Sequence, residues 1–536
     1  MIPDTTLPTL PALAGAPFDL LVIGGGITGA GVARDAALRG LRVALLEKDD
    51  FASGTSSRSS RLVHGGVRYL EQAQVHLVFE ASAERRRLLR LAPHVVRPLP
   101  FTWPVYSGAR IGRWTLEAGL TLYDALALFR NVGRHRRLDA RALLAEEPAL
   151  EPAGLRGGAR YWDAATDDTR LTLANALGAA ESGAAVRNHT MVTALREAQG
   201  SWIAGVHDTI TGDVGEVRAR VVVNATGPWT DEVRRMTGLP DGALVRGSTG
   251  AHIAVPRERV GNRGAITLLS PRDGRVMFAL PAGTHCIIGT TERATDESPD
   301  AVRASEREVQ YLIDSANAFF PGARLTRDDV VSAWAGIRPL ALAAGGGALG
   351  EASREHAIER RGAMLSITGG KLTTYRVMAR EAVDAVESQL GRRRTRPEPT
   401  RALPLPGGAF ASRDAEIAAA TALCGDASVG TRLVEGYGDR WRALWERAGE
   451  VAGGRERVLP ALPYLRAEMA WGIEREMART LADLLVRRTH VAFETRDAGR
   501  AVAREVARWL GWDPVRVAAE VARYDEEVGR IFAPSS

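Results

Sequence analysis

The chain has 536 residues, 45% hydrophobic and 25% charged, which is more than one core usually holds and predicts two or three domains. Its 70 basic and 64 acidic residues give a net charge of +6, a modest excess that suits anionic substrates or anionic lipid; without clustered charge and stacking aromatics it excludes a nucleic-acid footprint. The two cysteines, Cys286 and Cys424, cannot build a disulfide framework, a Cys-rich zinc site or a conventional iron–sulfur cluster, so a reducing compartment is expected and no metal site is.

Residues 1–17 read as a flexible leader, with no basic n-region, no sustained apolar run, and Pro3, Pro8 and Pro11 interrupting it. No apolar run in the chain is long enough to cross a bilayer, so any membrane contact is at the surface. The organising stretch follows at 18–47. Phe18–Ile23 is apolar and partly β-branched, as a buried parallel strand requires. Gly24-Gly25-Gly26-Ile27-Thr28-Gly29 then fits G-x-G-x-x-G: Gly24 for the tight turn, Gly26 for backbone approach to a pyrophosphate, Gly29 for close helix packing. An alanine-rich helix ends at Gly40, and a second strand, 41–46, leads to Glu47, placed to take ribose hydroxyls. Strand, turn, helix, strand and acid in register predict a bound adenine dinucleotide. Which dinucleotide stays open on these residues alone.

The loop 51–71 is dense in glycine and hydroxyl residues and would run along the cofactor, with Arg61, His64, Arg68 and Tyr69 available to an anion. The spacing predicts helices over 74–91 and 110–130, the second apolar on more than one side; core packing accounts for it most simply, and an interfacial helix carrying Trp114 is the other reading. Asp167-Asp168-Thr169 reads as the cap of a helix. A strand over 218–223 runs into Asn224-Ala225-Thr226-Gly227, suited to a close backbone pass over a cofactor. Alternation over 244–293 predicts an antiparallel, substrate-facing sheet with His252 and Thr291 at strand ends. In 334–340, Arg338 stands in a rigid frame before Pro339. Last, a strand over 364–367 leads through Thr368-Gly369-Gly370-Lys371-Leu372-Thr373 into a helix, whose N-terminus offers backbone N–H groups to an electron-rich partner. Only Lys48 and Lys371 are lysine in a chain that otherwise uses arginine, which makes the second conspicuous here.

These segments together resemble the FAD-dependent, quinone-linked glycerol-3-phosphate dehydrogenases, within the D-amino-acid oxidase-like flavoproteins. The likeness spans nearly the whole chain and is carried by IGGGITGAGVARDAALRG with Glu47, TSS…LVHGGVRYLE, NATGPW, HCIIGTTE, AGIRPL and TGGKLTTYR. It departs at Arg61, where a lysine is frequent, and at Ala251, where a small hydroxyl residue is usual. The resemblance implies an α/β fold: a Rossmann-like FAD-binding domain (18–100, 155–243 and 330–390), an inserted antiparallel substrate or cap domain (101–154 and 244–329), a linker (391–408) and a C-terminal α-helical domain (409–536).

It further implies that FAD is held by Gly24, Gly26, Gly29, Glu47, Thr55, Ser56, Ser57, His64, Gly65, Gly66, Ala225, Thr226, Gly227, Gly370, Lys371, Leu372 and Thr373. Substrate would be bound by Arg68, Tyr69, His252, Thr291, Arg338 and Lys371. Of these, His252 is the expected proton acceptor, Arg338 and Lys371 with Arg68 and Tyr69 grip the anion, and Thr291 is a weaker contact. Hydride loss from an alcohol becomes favourable as its proton leaves, which is why a base and fixed cations belong together. Expected partners are glycerol 3-phosphate, a quinone, an anionic membrane surface met peripherally from the cytoplasmic side, and a second copy in a homodimer. Two alternatives remain: an oxidase passing electrons to O2 with release of H2O2, and an FAD-bound binding module without this activity.

Overall fold

The computed structural model describes residues 7–67, 74–128, 131–238, 242–342, 356–392 and 398–532. Strand Phe18–Ile23 is apolar on both sides because both faces of its sheet are covered. It pairs in parallel with Val43–Leu46 and Val214–Asn224; Ala185–Arg187 and Met364–Gly369 extend the parallel order outward on the two sides. His356–Arg361 closes one edge in antiparallel, and the hairpin Thr190–Ala198/Ser201–Asp208 runs off Val214–Asn224.

Helices Ile27–Leu38, Asp168–Glu181 and Tyr375–Gln389 pack together over one face. Small residues make this possible: a Cβ added at Gly31 would stand 2.9 Å from the Tyr375 ring. As expected of a cap, Asp167 accepts the Arg170 N–H at the start of the second helix. The opposite face is covered by the hairpin and by a short helix, Leu10–Leu13, whose two leucines are buried. The end of the leader is therefore anchored: Thr9 caps the short helix, and the Pro8 carbonyl accepts from Arg187.

Among the described residues the second sheet has ten strands, eight in the order Arg293–Thr295, Val245–Pro256, His285–Gly289, Val276–Ala282, Ala265–Leu269, Val96–Tyr106, Leu155–Thr166 and Leu62–Val63; Ser332–Ala341 pairs with the second of these and Arg136–Leu138 with Leu155–Thr166. The ranges 18–100, 155–243 and 330–390 supply every strand of the parallel sheet. They also lend Leu62–Val63, Leu155–Thr166 and Ser332–Ala341 to the second one.

After residue 398 the chain is helical. Within the expected helical domain, Arg466–Arg475 is followed by a π-helical turn, Asp483–Arg488. Between them Met477 takes a left-handed φ of 57°, and the Glu476 carboxylate grips the Arg170 guanidinium with two contacts of 2.7 Å. Arg487 and Arg488 are buried. Arg488 donates to both oxygens of Asp50 (2.6 and 3.0 Å), and Arg487 to Asp50 (2.7 Å) and Asp483 (2.8 Å). The Asp50 carboxyl is held below its ordinary range: burial alone would raise it, and the two guanidiniums outweigh that.

Asp50 lies three residues past Glu47, so this network ties the C-terminal helices to the nucleotide side of the first domain. Arg488→Ala leaves the buried Asp50 charge to the Arg487 guanidinium and the Asn188 amide and should cost about 3 kcal/mol, the low end for a broken buried pair; urea unfolding monitored by circular dichroism measures it, with Arg39→Ala, another buried pair remote from this seam, as comparison.

Candidate active site

A cleft of about 570 Å³ runs along the C-terminal ends of the parallel strands, where the two sheets meet. At one end it is lined by Gly24, Gly26, Ile27, Thr28, Glu47 and Lys48, at the other by Gly370, Lys371 and Leu372, and across it by Thr55, Ser56, His64, Ala225, Thr226 and Gly227. The glycine turn is built as the pattern requires. Gly24 has φ 104°, and a Cβ at Gly29 would fall 1.9 Å from the Gly24 carbonyl oxygen, so helix and strand can approach only with glycine there. The Gly26 cap leaves the helix without a side-chain cap from its own first turn, and the Ile27 N–H donates instead to Ser56 Oγ at 3.0 Å.

The Glu47 carboxylate accepts the N–H of Gly25 at 2.6 Å and of Asp49 at 2.9 Å. Burial, with Asp49 nearby, pushes its pKa up to about 7.

Two of the sequence motifs are knotted together at the far end. The His64 N–H donates to Thr373 Oγ1 (3.1 Å), and that hydroxyl donates back to the His64 carbonyl (3.2 Å). The Gly65 N–H donates to Asp163 Oδ1 at 2.9 Å, while Gly66 takes φ 76°. Thr55 donates to the Ile337 carbonyl (2.6 Å); Ser57, buried, faces the Gly54 carbonyl. Gly29, Ser57, Gly65, Gly66 and Thr373 thus shape the cleft from behind its lining. Arg68 and Tyr69 lie outside the described residues.

Facing this end is the second sheet, and strand pairing sets what it presents. Opposite partners are His252 and Trp334, Gly250 and Gly336, Ser248 and Arg338, all on one face. The alternate residues, Ala251, Ile253, Ala333, Ala335 and Ile337, fill the core behind. The imidazole of His252 stacks on Trp334 (centroids 5.6 Å apart, planes at 12°) and lies over Gly289, where a Cβ would stand 2.3 Å from its Cδ2. Its Nε2 meets Ser60 Oγ at 2.9 Å. Burial, then the Arg338 and Arg61 charges, lower its pKa to about 3, so it is neutral at pH 7.

Arg338 Nη2 donates to Thr290 Oγ1 at 3.3 Å beside Gly250, where a Cβ would be 2.9 Å from that nitrogen. His252, Thr291, Arg338 and Lys371 all border the one cleft. The Thr291 hydroxyl is engaged: it donates to Glu308 (2.7 Å) and accepts from the Ala251 N–H (2.8 Å). Arg61 points away, its guanidinium 4.9 Å from the Phe493 ring centroid and 6.0 Å from that of Trp334.

Sequence reasoning missed several lining groups. Ser60 and Arg58 sat in the recognised loop without a partner to single them out. Asp163 and the Lys48–Asp300 pair (2.9 Å), with Lys48 also over Trp229, join segments far apart in the chain and left no local signal.

Residues 19–376 match the family model described as FAD dependent oxidoreductase, and residues 398–517 match the C-terminal domain of alpha-glycerophosphate oxidase. A Synechocystis protein named glycerol-3-phosphate dehydrogenase is 37% identical over 98% of both chains. The chain belongs to the FAD-dependent glycerol-3-phosphate dehydrogenase family. A Mycobacterium tuberculosis member, glycerol-3-phosphate dehydrogenase 2, is 40% identical over 95% of this chain and 87% of its own. The glycerol-3-phosphate dehydrogenase of Bacillus halodurans, solved with FAD, superposes with a TM-score of 0.80 at 32% identity, covering 97% of this chain and 96% of that one.

The cofactor of the family is FAD, and the glycine turn, the open helix N-terminus beside Ser56 and the buried Glu47 fit its nucleotide half. Glu47 is the expected acceptor for a ribose hydroxyl pair. Glu47→Gln exchanges one acceptor oxygen for an amide donor and should weaken FAD binding by up to about tenfold, since a hydrogen bond is worth about 0.5–1.5 kcal/mol; FAD titration of the apoprotein by fluorescence quenching checks it.

Proposed function

We propose that the cleft oxidises sn-glycerol 3-phosphate to dihydroxyacetone phosphate and that the electrons pass on to a quinone. The observation that carries this reading is a buried, neutral histidine sharing with Arg338 and Lys371 the cleft that begins at the dinucleotide turn. A phosphate monoester needs fixed positive charge, and Arg338 and Lys371 supply it from two different sheets. Arg68 and Tyr69 belong to the same proposed substrate set.

As the C2 hydroxyl loses its proton, the His252 imidazole receives it; neutrality at working pH leaves it able to do so, and the Trp334 stack and Ser60 hold its plane. FAD, when bound, supplies the acceptor for the C2 hydride. Gly370 (φ 85°) turns the chain so that the helix Tyr375–Gln389 and its preceding turn point their N-terminal ends at the cleft, which favours negative charge there. Thr291, its hydroxyl committed to Glu308 and Ala251, serves as support for the strand end in this scheme.

Peripheral attachment to the inner face of the cell membrane agrees with a lipid-dissolved acceptor; among the described residues no helix is long and apolar enough to cross a membrane. Anaerobic glycerol 3-phosphate should bleach the yellow holoprotein while glycerol leaves it oxidised. Failure of the first defeats the substrate assignment, and one H2O2 released per turnover in air, with no stimulation by a soluble quinone, moves the acceptor to oxygen. Lys371→Ala should raise KM for glycerol 3-phosphate at least tenfold, since it deletes one charge-assisted contact of about 1.5–3 kcal/mol; an unchanged KM in steady-state assays removes Lys371 from the phosphate.

A further inference from the structure

Helix Arg113–Leu126 is apolar on two faces. The inner one, with Leu116, Leu120 and Tyr123, is buried in the core. The outer one presents Trp114, 75% exposed, and Leu122, with Ala118 on the turn between them. Beyond the helix Leu128 and Val132 are exposed as well. Ten large apolar side chains stand exposed among the described residues, and four of them fall in this short stretch. Single exposed leucines are ordinary; a tryptophan and three aliphatic residues so close together are a patch.

Charge around the patch is one-sided. Residues 110–137 contain six arginines and two acids, and both acids are engaged by His135. Asp124 is buried, accepting from Asn131 Nδ2 (2.6 Å) and the His135 N–H (3.0 Å), and Glu117 meets the same histidine at 3.3 Å. Arg137 lies 4.9 Å over the Trp114 ring, and Arg110, Arg134 and Arg136 are exposed, the last paired with Glu146. Two such faces from two copies would set arginine against arginine, which disfavours self-association. Phosphate headgroups over an acyl layer complement both features.

We propose that this face lies on an anionic lipid bilayer, with Trp114 and Leu122 in the headgroup–acyl boundary and the arginines on phosphates. The proposal deepens the quinone reading and rests on it for its purpose. On the helix's inner side the Tyr123 hydroxyl donates to Asp163 Oδ1 (2.8 Å), the same oxygen that receives the Gly65 N–H, and Asp163 lines the cleft. One helix therefore separates the docking face from the end of the cleft assigned to substrate.

The test is flotation of the holoprotein with phosphatidylglycerol/phosphatidylcholine vesicles at 50 and 300 mM salt, with FAD content and melting temperature as folding controls. The wild type should float with the vesicles at low salt and be released at high salt. Trp114→Ser/Leu122→Ser should lower partitioning at least tenfold. Arg110→Gln/Arg137→Gln should lower it by about thirty-fold, from about 1 kcal/mol per arginine, and flatten the salt dependence. Vesicle binding equal to wild type in both folded variants overturns the proposal. So does wild-type protein that ignores anionic vesicles, or a Trp114→Ser/Leu122→Ser variant that only converts a dimer to a monomer in light scattering. Flavin bleaching without vesicles is read separately, so a protein that floats as expected but is not reduced by glycerol 3-phosphate disproves the substrate reading and leaves this face in place.

Discussion

The site depends on the antiparallel register between Val245–Pro256 and Ser332–Ala341. With His252 opposite Trp334 and Ser248 opposite Arg338, an imidazole and a guanidinium project from one face, and the glycine pair 250/336 lets neighbours approach between them: a Cβ at Gly250 would stand 2.9 Å from Arg338 Nη2, and one at Gly336 2.5 Å from the Arg58 carbonyl oxygen. A slip of one residue would carry both groups into the hydrophobic core behind the sheet and bring Ala251 and Ile337 to the cleft. The alternation of apolar residues in the two strands makes that slip costly, so core packing fixes the chemistry of the opposite face.

Burial gives these groups their properties. Trp334 is among the largest fully buried side chains and covers one side of the imidazole, while Gly289 lets the ring lie flat against the neighbouring strand. Removed from water and flanked by guanidiniums, the histidine resists protonation. The C-terminal helices contribute to this wall: Phe493 meets Trp334 edge-on at 5.1 Å, its carbonyl accepts from Ser332 (2.7 Å), and Arg61 lies against its ring. Together with the Asp50–Arg488 contact, these interactions make the helical domain a brace on both sheets that border the cleft.

Legibility in the sequence followed the range of the interactions. The strand–turn–helix at Phe18–Leu38 was readable because each glycine answers a local steric demand, and Glu47 followed at its expected spacing. The strand feeding Gly369-Gly370-Lys371 was readable for the same reason. Arg338 was singled out as a lone arginine in a rigid frame, and that frame is a paired strand. His252 by itself looked like any strand-end histidine; its stack on Trp334, 82 positions away, is a product of register, which no single segment encodes. The burial of Arg487 and Arg488 left no local signal because their partner, Asp50, lies more than 400 residues upstream. The leader looked flexible from its prolines, yet Leu10 and Leu13 find a hydrophobic sheet face to cover.

The central claim is that a histidine kept neutral by burial and neighbouring charge takes the substrate proton. The rate of flavin reduction by saturating glycerol 3-phosphate, followed anaerobically by stopped-flow absorbance from pH 8 to pH 5, tests it most directly. Protonating His252 would disable it, and its pKa of about 3 lies below this window, so the account predicts a rate that stays level across it. A rate that falls on acidification with a midpoint near 6.5, the ordinary histidine value, would contradict it.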